Sequence, residues 1–347
     1  MSKHKDLSIE QNYDQKEWDK LVLNFSDRAH YMQSSSWGES KAKNLWPYLR
    51  LIASSKQTKI AIQLFTRIVP GLGRLYYAPE VSGIDSKLVP EITKEIKSKY
   101  KNGLAFKLEL YQDYSKSLID SFIANGWVVG NSVQPRDTVI VDLNGTEDEV
   151  FARMKKRARY ETRVAQRNNV KVEKLEVTQE RLDKLMSLID VTAERSGAFF
   201  RNRTYANNYQ KTFAKYGQGN LYFAWHDKDL LAAAYVINFG KSAWYKDGGS
   251  VRLKSNFMAP RLLQWEIMRD LQKTGVVRYD LSGIPATDEL ETSSMKGLHT
   301  FKTGFCEETS KLMPALELPL SMRYKFWPKL ERQFLRLYSG LKKDFWY

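Results

Sequence analysis

The stretch Gln134–Val170, QPRDTVIVDLNGTEDEVFARMKKRARYETRVAQRNNV, decides how the rest of the chain divides. It opens as a strand, with Val139, Val141 and Leu143 alternating against Ile140 and Asp142. Asn144-Gly145 is a turn dipeptide, and Thr146 with Glu149 makes the Thr-x-x-Glu pattern that starts a helix. Val150, Met154, Ala158 and Ala165 recur at helical spacing, so one face of a single helix is expected to pack. The other positions carry Arg153, Lys155, Lys156, Arg157, Arg159, Arg163 and Arg167, and Glu161 is the only acid after Glu149. A helix this one-sided either sits in water or meets a polyanion, and its charge alone does not choose.

Outward from this stretch, composition sets the class. A chain of 347 residues exceeds one usual core and implies two domains. Hydrophobic content of 42% with 13% aromatic excludes a disordered chain. A net charge of +15 points to an anionic partner: nucleic acid, a phosphorylated substrate or a membrane surface. Cys306 is the one cysteine, which excludes an internal disulfide framework and fits a reducing compartment. The N-terminus, MSKHKDLSIEQ, lacks the apolar core of a secretory signal, and no run reaches membrane-spanning length. A cytoplasmic protein is expected.

Before the junction, Ser34 to Ser36 cap a helix that begins near Trp37 and stops before Pro47, with Lys41 on the Trp37 face. Strands are expected at 48–53, 60–68, 75–77 and 105–110, with helices at 86–100 and 115–125, the second closed by Gly126. After it come a strand at 170–175, a helix at 178–196, a further helix, strands at 220–226, 231–239 and 242–247, a helix at 260–273 and a strand at 277–280. Each half therefore runs helix–helix, consecutive short strands, helix, strand, and the Tyr76-Tyr77 strand has a faint echo in the Tyr245 strand. The order resembles a duplicated acetyltransferase-type domain. The expected fold is α/β with mixed sheets, as two tandem acetyltransferase-like domains: 1–144 with 317–347, and 145–316. The tail from Pro319 alternates cations with Tyr324, Phe326, Trp327, Phe334 and Tyr338; packing on the first domain is favoured over lying on an anionic bilayer, and the two are compatible.

The four histidines show no ligand spacing, and with one cysteine a zinc site is not expected. There is no G-x-S-x-G elbow, and Pro70-Gly-Leu-Gly-Arg74 lacks the rest of a phosphate loop. What remains is a mechanism with no metal, no cofactor and no covalent intermediate. Three segments carry candidate chemistry. Arg201 and Tyr205, at i and i+4, share a helix face that suits a phosphate and a sugar or base, or is an ordinary surface helix start. Tyr245 leads into Gly248-Gly249, where glycine permits a ligand's close approach or a tight turn. Lys302, between Gly297 and Gly304 and flanked by Phe301 and Phe305, is expected to be partly desolvated, and either stabilises an oxyanion or clamps a phosphate, or simply snorkels beside core phenylalanines.

Q-x-x-x-W-x-x-x-K near the N-terminus, the Gln134–Arg167 junction, R-x-x-x-Y, Y-x-x-G-G-S, Y-D-L-S-G-I at 279–284 and G-L-x-x-F-K-x-G-F occur in an order that resembles the Fem family over nearly the whole chain. Its members are the non-ribosomal aminoacyltransferases that build peptidoglycan interpeptide bridges. The resemblance implies transfer of Gly, Ala or Ser from aminoacyl-tRNA to the side-chain amine of the stem peptide, on UDP-MurNAc-pentapeptide or lipid II. By resemblance, Lys41, Arg201, Tyr205 and Tyr245 hold the muramyl-pentapeptide, and Phe301 and Lys302 sit at the transfer site. Glu109 stands at an acidic position of the family's first-domain strand, with Glu for Asp. The basic helix (Lys155, Lys156, Arg157, Arg159, Arg163) then faces tRNA. No sustained heptads occur, so this is the compact type without a coiled-coil arm, expected as a monomer with peripheral contact at the inner membrane surface. The rivals are an acetyl-CoA-dependent N-acyltransferase, for which no pyrophosphate loop is found, a transferase acting on protein N-termini, and a non-enzymatic RNA- or membrane-binding protein.

Overall fold

A computed structural model describes residues 13–54, 59–196, 202–285, 290, 295–342 and 345–347. The chain separates into two compact units, one of residues 1–136 with 312–347 and the other of 137–311. In the first, Asp14 and Glu17 form a capping box that opens α1 (Gln15–Phe25), and the Ser34 hydroxyl accepts the Trp37 N–H to open α2 (Ser35–Ala42). Three strands follow as an antiparallel meander: β1 (Tyr48–Ser54), β2 (Lys59–Val69) and β3 (Gly73–Val81). Helix α3 (Val89–Lys99) carries the chain to β4 (Ala105–Leu110), which pairs parallel to β3. Helix α4 (Lys116–Ala124) and the short β5 (Val128–Val129) end this run, and Gly126 between them takes φ +89°, as a left-handed helix stop requires.

The second unit begins with β6 (Asp137–Asp142), α5 (Glu147–Arg153) and α6 (Lys156–Arg167). It continues through β7 (Lys171–Leu175), α7 (Gln179–Ser196) and α8 (Arg203–Lys215). A second meander follows: β8 (Gly219–His226), β9 (Asp229–Phe239) and β10 (Ser242–Ser250). Helix α9 (Ala259–Lys273) then leads to β11 (Arg278–Gly283), parallel to β10. Helix α10 (Lys296–Lys302) and the two-residue β12 (Ser310–Lys311) complete it. The chain returns to the first unit as β13 (Leu316–Pro319) and α11 (Trp327–Lys342).

The two sheets repeat one plan. Their orders are β1-β2-β3-β4-β13-β5 and β12-β6-β11-β10-β9-β8-β7. Each has an antiparallel meander whose last strand crosses through a helix to a parallel partner. In each, a strand from a distant part of the sequence enters between that partner and a short edge strand. The Tyr76-Tyr77 and Tyr245 strands are β3 and β10, which hold equivalent places. This is a mixed α/β fold of tandem acetyltransferase-like domains.

The compact units divide at 136 and 312, where β6 pairs with β11 and β12 in the second sheet. One reading from sequence needs correction. The basic helix is two helices. Met154 and Lys155 take extended backbone, with ψ of 150° and 144°, and the Lys155 N–H donates to the Gly304 carbonyl at 2.9 Å. Val150, Met154, Ala158 and Ala165 are nonetheless all buried, with Met268, Leu271 and Tyr279, because the break turns without leaving the core.

Candidate active site

In the second unit, the site is built where β11 ends beside β10. Ser282 takes φ +63° there, and the β6–β11 register slips between Asp280 and Gly283. The Ser282 hydroxyl donates to the Tyr245 carbonyl at 2.8 Å, and its N–H donates to the Asp280 carboxylate at 2.7 Å. The same Asp280 oxygen accepts the Thr138 hydroxyl. Turned outward by this bend, the Ser282 and Gly283 carbonyls accept from the Lys302 ammonium at 3.1 and 2.8 Å. Lys302 ends α10 and is 5% exposed. Burial pulls its pKa down to about 8, against the charge of Asp280, which raises it.

Phe301, partly buried, stacks edge-on with Phe305 at 5.3 Å between centroids. Arg261 on α9 lies over both rings, at 4.5 and 4.9 Å, and its guanidinium donates to the Phe301 carbonyl at 2.5 Å. A Cβ on Gly304 would come within 2.5 Å of that guanidinium, so a side chain there would displace it.

Two residues that the sequence reading did not single out link the helix of Tyr205 to the strand of Tyr245. Tyr209 packs on Tyr205 at 5.8 Å, and its hydroxyl donates to Asp247, which also accepts from Gln210 at 2.9 Å. Burial, with Asp247 second, raises the pKa of half-buried Tyr245. The i, i+4 spacing of Tyr205 and Tyr209, and Asp247 within Tyr-Lys-Asp-Gly-Gly, were available signals. Gly249 serves packing: a Cβ there would lie 2.4 Å from the Leu188 backbone of α7. Arg201 lies outside the described residues; the helix itself starts at Arg203, capped by the Asn202 side chain.

The first unit gathers Lys41 and Glu109 around one aromatic set. The buried Lys41 ammonium lies 5.8 Å from the Trp37 ring centre and 5.4 Å from that of Trp46. Trp46 meets Tyr77, whose hydroxyl donates to Glu109. The other Glu109 oxygen accepts the Val133 and Gln134 N–H groups at 2.6 and 3.1 Å. Burial raises its pKa, opposed by the Tyr77 bond and by Lys107. Lys107 is itself buried between Glu317 and Glu331, at 2.9 and 2.8 Å.

The cationic residues of the junction differ in what they hold. Lys155 pairs with Glu307 at 3.4 Å, Arg157 with Glu161 at 2.8 Å, and Arg159 donates to the Ala152 carbonyl at 2.7 Å. Arg163 covers the Phe151 ring at 5.2 Å, and Lys156 is exposed. A shallow cleft of about 670 Å³ bordered by Lys174, Lys211 and Lys215 shares no side chain with any of these groups. Among the described residues no His, Cys, Asp and Glu cluster could hold a metal, and no helix is long and apolar enough to cross a membrane.

Two sheets of this plan define the class as a protein of tandem acetyltransferase-like domains. Comparison with known proteins gives the family. The FemAB family model matches residues 14–224 and 223–332, and the chain belongs to that family. It is thereby an aminoacyltransferase of peptidoglycan bridge formation. A lipid II:glycine glycyltransferase from Staphylococcus saprophyticus subsp. saprophyticus is 22% identical, over 92% of this chain and 99% of its own. The crystal structure of FemX matches with a TM-score of 0.79 at 18% identity, covering 92% of this chain and 99% of that one. The C-terminal domain of a putative lysylphosphatidylglycerol synthetase from Agrobacterium fabrum matches at 0.53 and 14%, covering 93% and 98%. Likeness at these identities carries the fold.

Proposed function

We propose that the protein moves an amino acid from aminoacyl-tRNA to the side-chain amine of the peptidoglycan stem peptide, with lipid II as acceptor at the membrane surface. The observation that carries this reading is Lys302, buried beside Phe301 at the end of the parallel pair in a FemAB chain. The glycine of the S. saprophyticus relative's name makes glycyl-tRNA the first donor to test, ahead of alanyl and seryl.

The acceptor amine attacks the ester carbonyl carbon, forming the C–N bond. The tetrahedral oxyanion then collapses, the C–O bond to the ribose breaks, and the proton lost by the amine balances the one gained by the departing hydroxyl. An ester is already activated, so orientation and charge stabilisation are what the enzyme must supply. An ammonium has three donors. Ser282 and Gly283 take two from Lys302, which fixes the direction of the third, and that one is assigned to the oxyanion. A phosphate or carboxylate of the substrate takes the amine proton. Tyr205, Tyr245 and Arg201 are assigned to muramyl-peptide binding, and so are Lys41 and Glu109. The cationic face of α6 meets the tRNA phosphates.

Calorimetry with UDP-MurNAc-pentapeptide tests the acceptor class directly. Measurable binding is expected, because it shares the stem peptide with lipid II. Absence of binding to both this compound and lipid II in detergent would overturn the reading.

A further inference from the structure

Helix α11 has one packed face and one bare one. On the packed face Trp327 and Glu331 are buried, and Glu331 accepts from Asn131 at 2.7 Å as well as from Lys107. The Tyr338 hydroxyl, on the same side, accepts from Arg67 at 2.9 Å. The other face leaves large apolar side chains in water: Leu337 is 68% and Leu341 81% exposed, and Leu330, Phe326 and Met322 are exposed with them. At roughly 100° per residue, Leu330, Leu337 and Leu341 fall on one stripe. Phe326 leads into it from the preceding turn.

Charge says what covers this stripe. Arg323, Lys325, Lys329, Arg332, Arg336 and Lys342 are all exposed on this segment. Arg323 and Lys325 lie in the turn before the stripe, Lys329 and then Arg336 follow on its solvent-facing side, and Arg332 lies almost opposite it. From Met322 to Lys342 the only acid is Glu331, and it points into the unit. Scattered exposed leucines need no explanation, but a continuous apolar stripe bordered by one sign of charge does. RNA would take up the cations and leave the leucines in water. A bilayer with anionic head groups satisfies both, since an interfacial helix gains from buried apolar area and from attraction to anionic lipid together.

We propose that the exposed face of α11 docks the protein on anionic phospholipid, with Leu330, Leu337 and Leu341 at the acyl boundary and the flanking cations among the phosphates. This deepens the lipid II reading by naming the surface that meets the membrane. The geometry stands without that reading.

The test is co-flotation of the full chain with phosphatidylglycerol–phosphatidylcholine vesicles and with phosphatidylcholine alone. Binding to the first, weak binding to the second and weakening by salt are expected. Leu337→Glu with Leu341→Glu should lower the partition at least about tenfold, since removing each leucine is worth about that much. Lys329→Glu should lower it at least about fivefold. Both variants change exposed positions, and an unchanged thermal midpoint confirms that they fold. Turnover with a nucleotide-linked acceptor should be unchanged in both, which separates docking from catalysis. No binding of the wild type to anionic vesicles, or equal binding by the leucine variant, overturns the proposal. So does binding abolished by tRNA and insensitive to the leucines, which would make the face an RNA surface.

Discussion

Glu161 and Arg261 form an ion pair of 2.7 Å in which both side chains are 9% exposed. The one acid on the cationic helix is thus its anchor, joining α6 to α9 and, through Arg261, to the rings of Phe301 and Phe305. Burial works to raise the Glu161 carboxyl, but the bonds from Arg157 and Arg261 outweigh it and hold its pKa below the ordinary 4.5. A carboxylate depressed in this way contributes stability that is full above its unfolded pKa and lost as pH falls through the folded one. Removing one partner leaves a buried guanidinium uncompensated, so Glu161→Ala should lose about 3–5 kcal/mol in urea melts at pH 7. The difference from wild type should shrink below pH 4.5. A flat difference would mean the pair is not ionised in the fold.

Lys302→Met should lower kcat by about 10²–10³ at saturating substrates, the usual loss for one oxyanion donor. Near-wild-type turnover would take Lys302 out of the chemistry. The working form is the ammonium, and burial brings its pKa to about 8, so kcat should fall as pH rises through about 8. In Lys302→Arg, whatever activity remains should keep no such limb.

What could be read from the sequence was what neighbours in the chain decide. Thr146 and Glu149 cap α5, and Ser34 caps α2, because each partner is three residues away. The break at Met154-Lys155 has no glycine or proline to announce it; its N–H is taken by Gly304, far along the chain. The placing of β6 and β13 is equally non-local: β6 reads as a strand but its partners are β11 and β12, and β13, which the sequence reading did not single out, pairs back with β4 and β5. The burial of Lys302 was legible from its aromatic flanks. Its two carbonyl partners were not, since Ser282 and Gly283 lie some twenty residues back, at a bend where Ser282 takes a left-handed backbone.

Glu109 is engaged by the protein at both oxygens, through Tyr77 on one side and Val133 and Gln134 on the other. Glu109→Ala leaves those buried donors unpaired and should lose about 2–4 kcal/mol in urea melts. Glu109→Gln keeps an acceptor for the two N–H groups and can donate to Tyr77, so a loss within about 1 kcal/mol is expected. The two variants also separate shape from charge. If the Gln form is stable but binds UDP-MurNAc-pentapeptide as tightly as wild type, the negative charge has no part in holding the acceptor.

The junction cations fall into two groups by what they hold, and this makes the tRNA proposal testable without unfolding the protein. Arg159 closes the carbonyl end of α5, and Arg157 helps hold Glu161, so reversing either disturbs the packing just described. Lys156 is exposed, and Arg163 rests on Phe151 from the solvent side. Each phosphate that the protein no longer neutralises should flatten the slope of log affinity against log salt by about 0.7–0.9. Lys156→Glu with Arg163→Glu should therefore reduce the slope for aminoacyl-tRNA by nearly two, weaken binding most at low salt, and leave muramyl-pentapeptide affinity alone. Filter binding across a salt series reads the slope. If it does not move while the protein stays folded, the tRNA lies elsewhere and this helix is a solvated face.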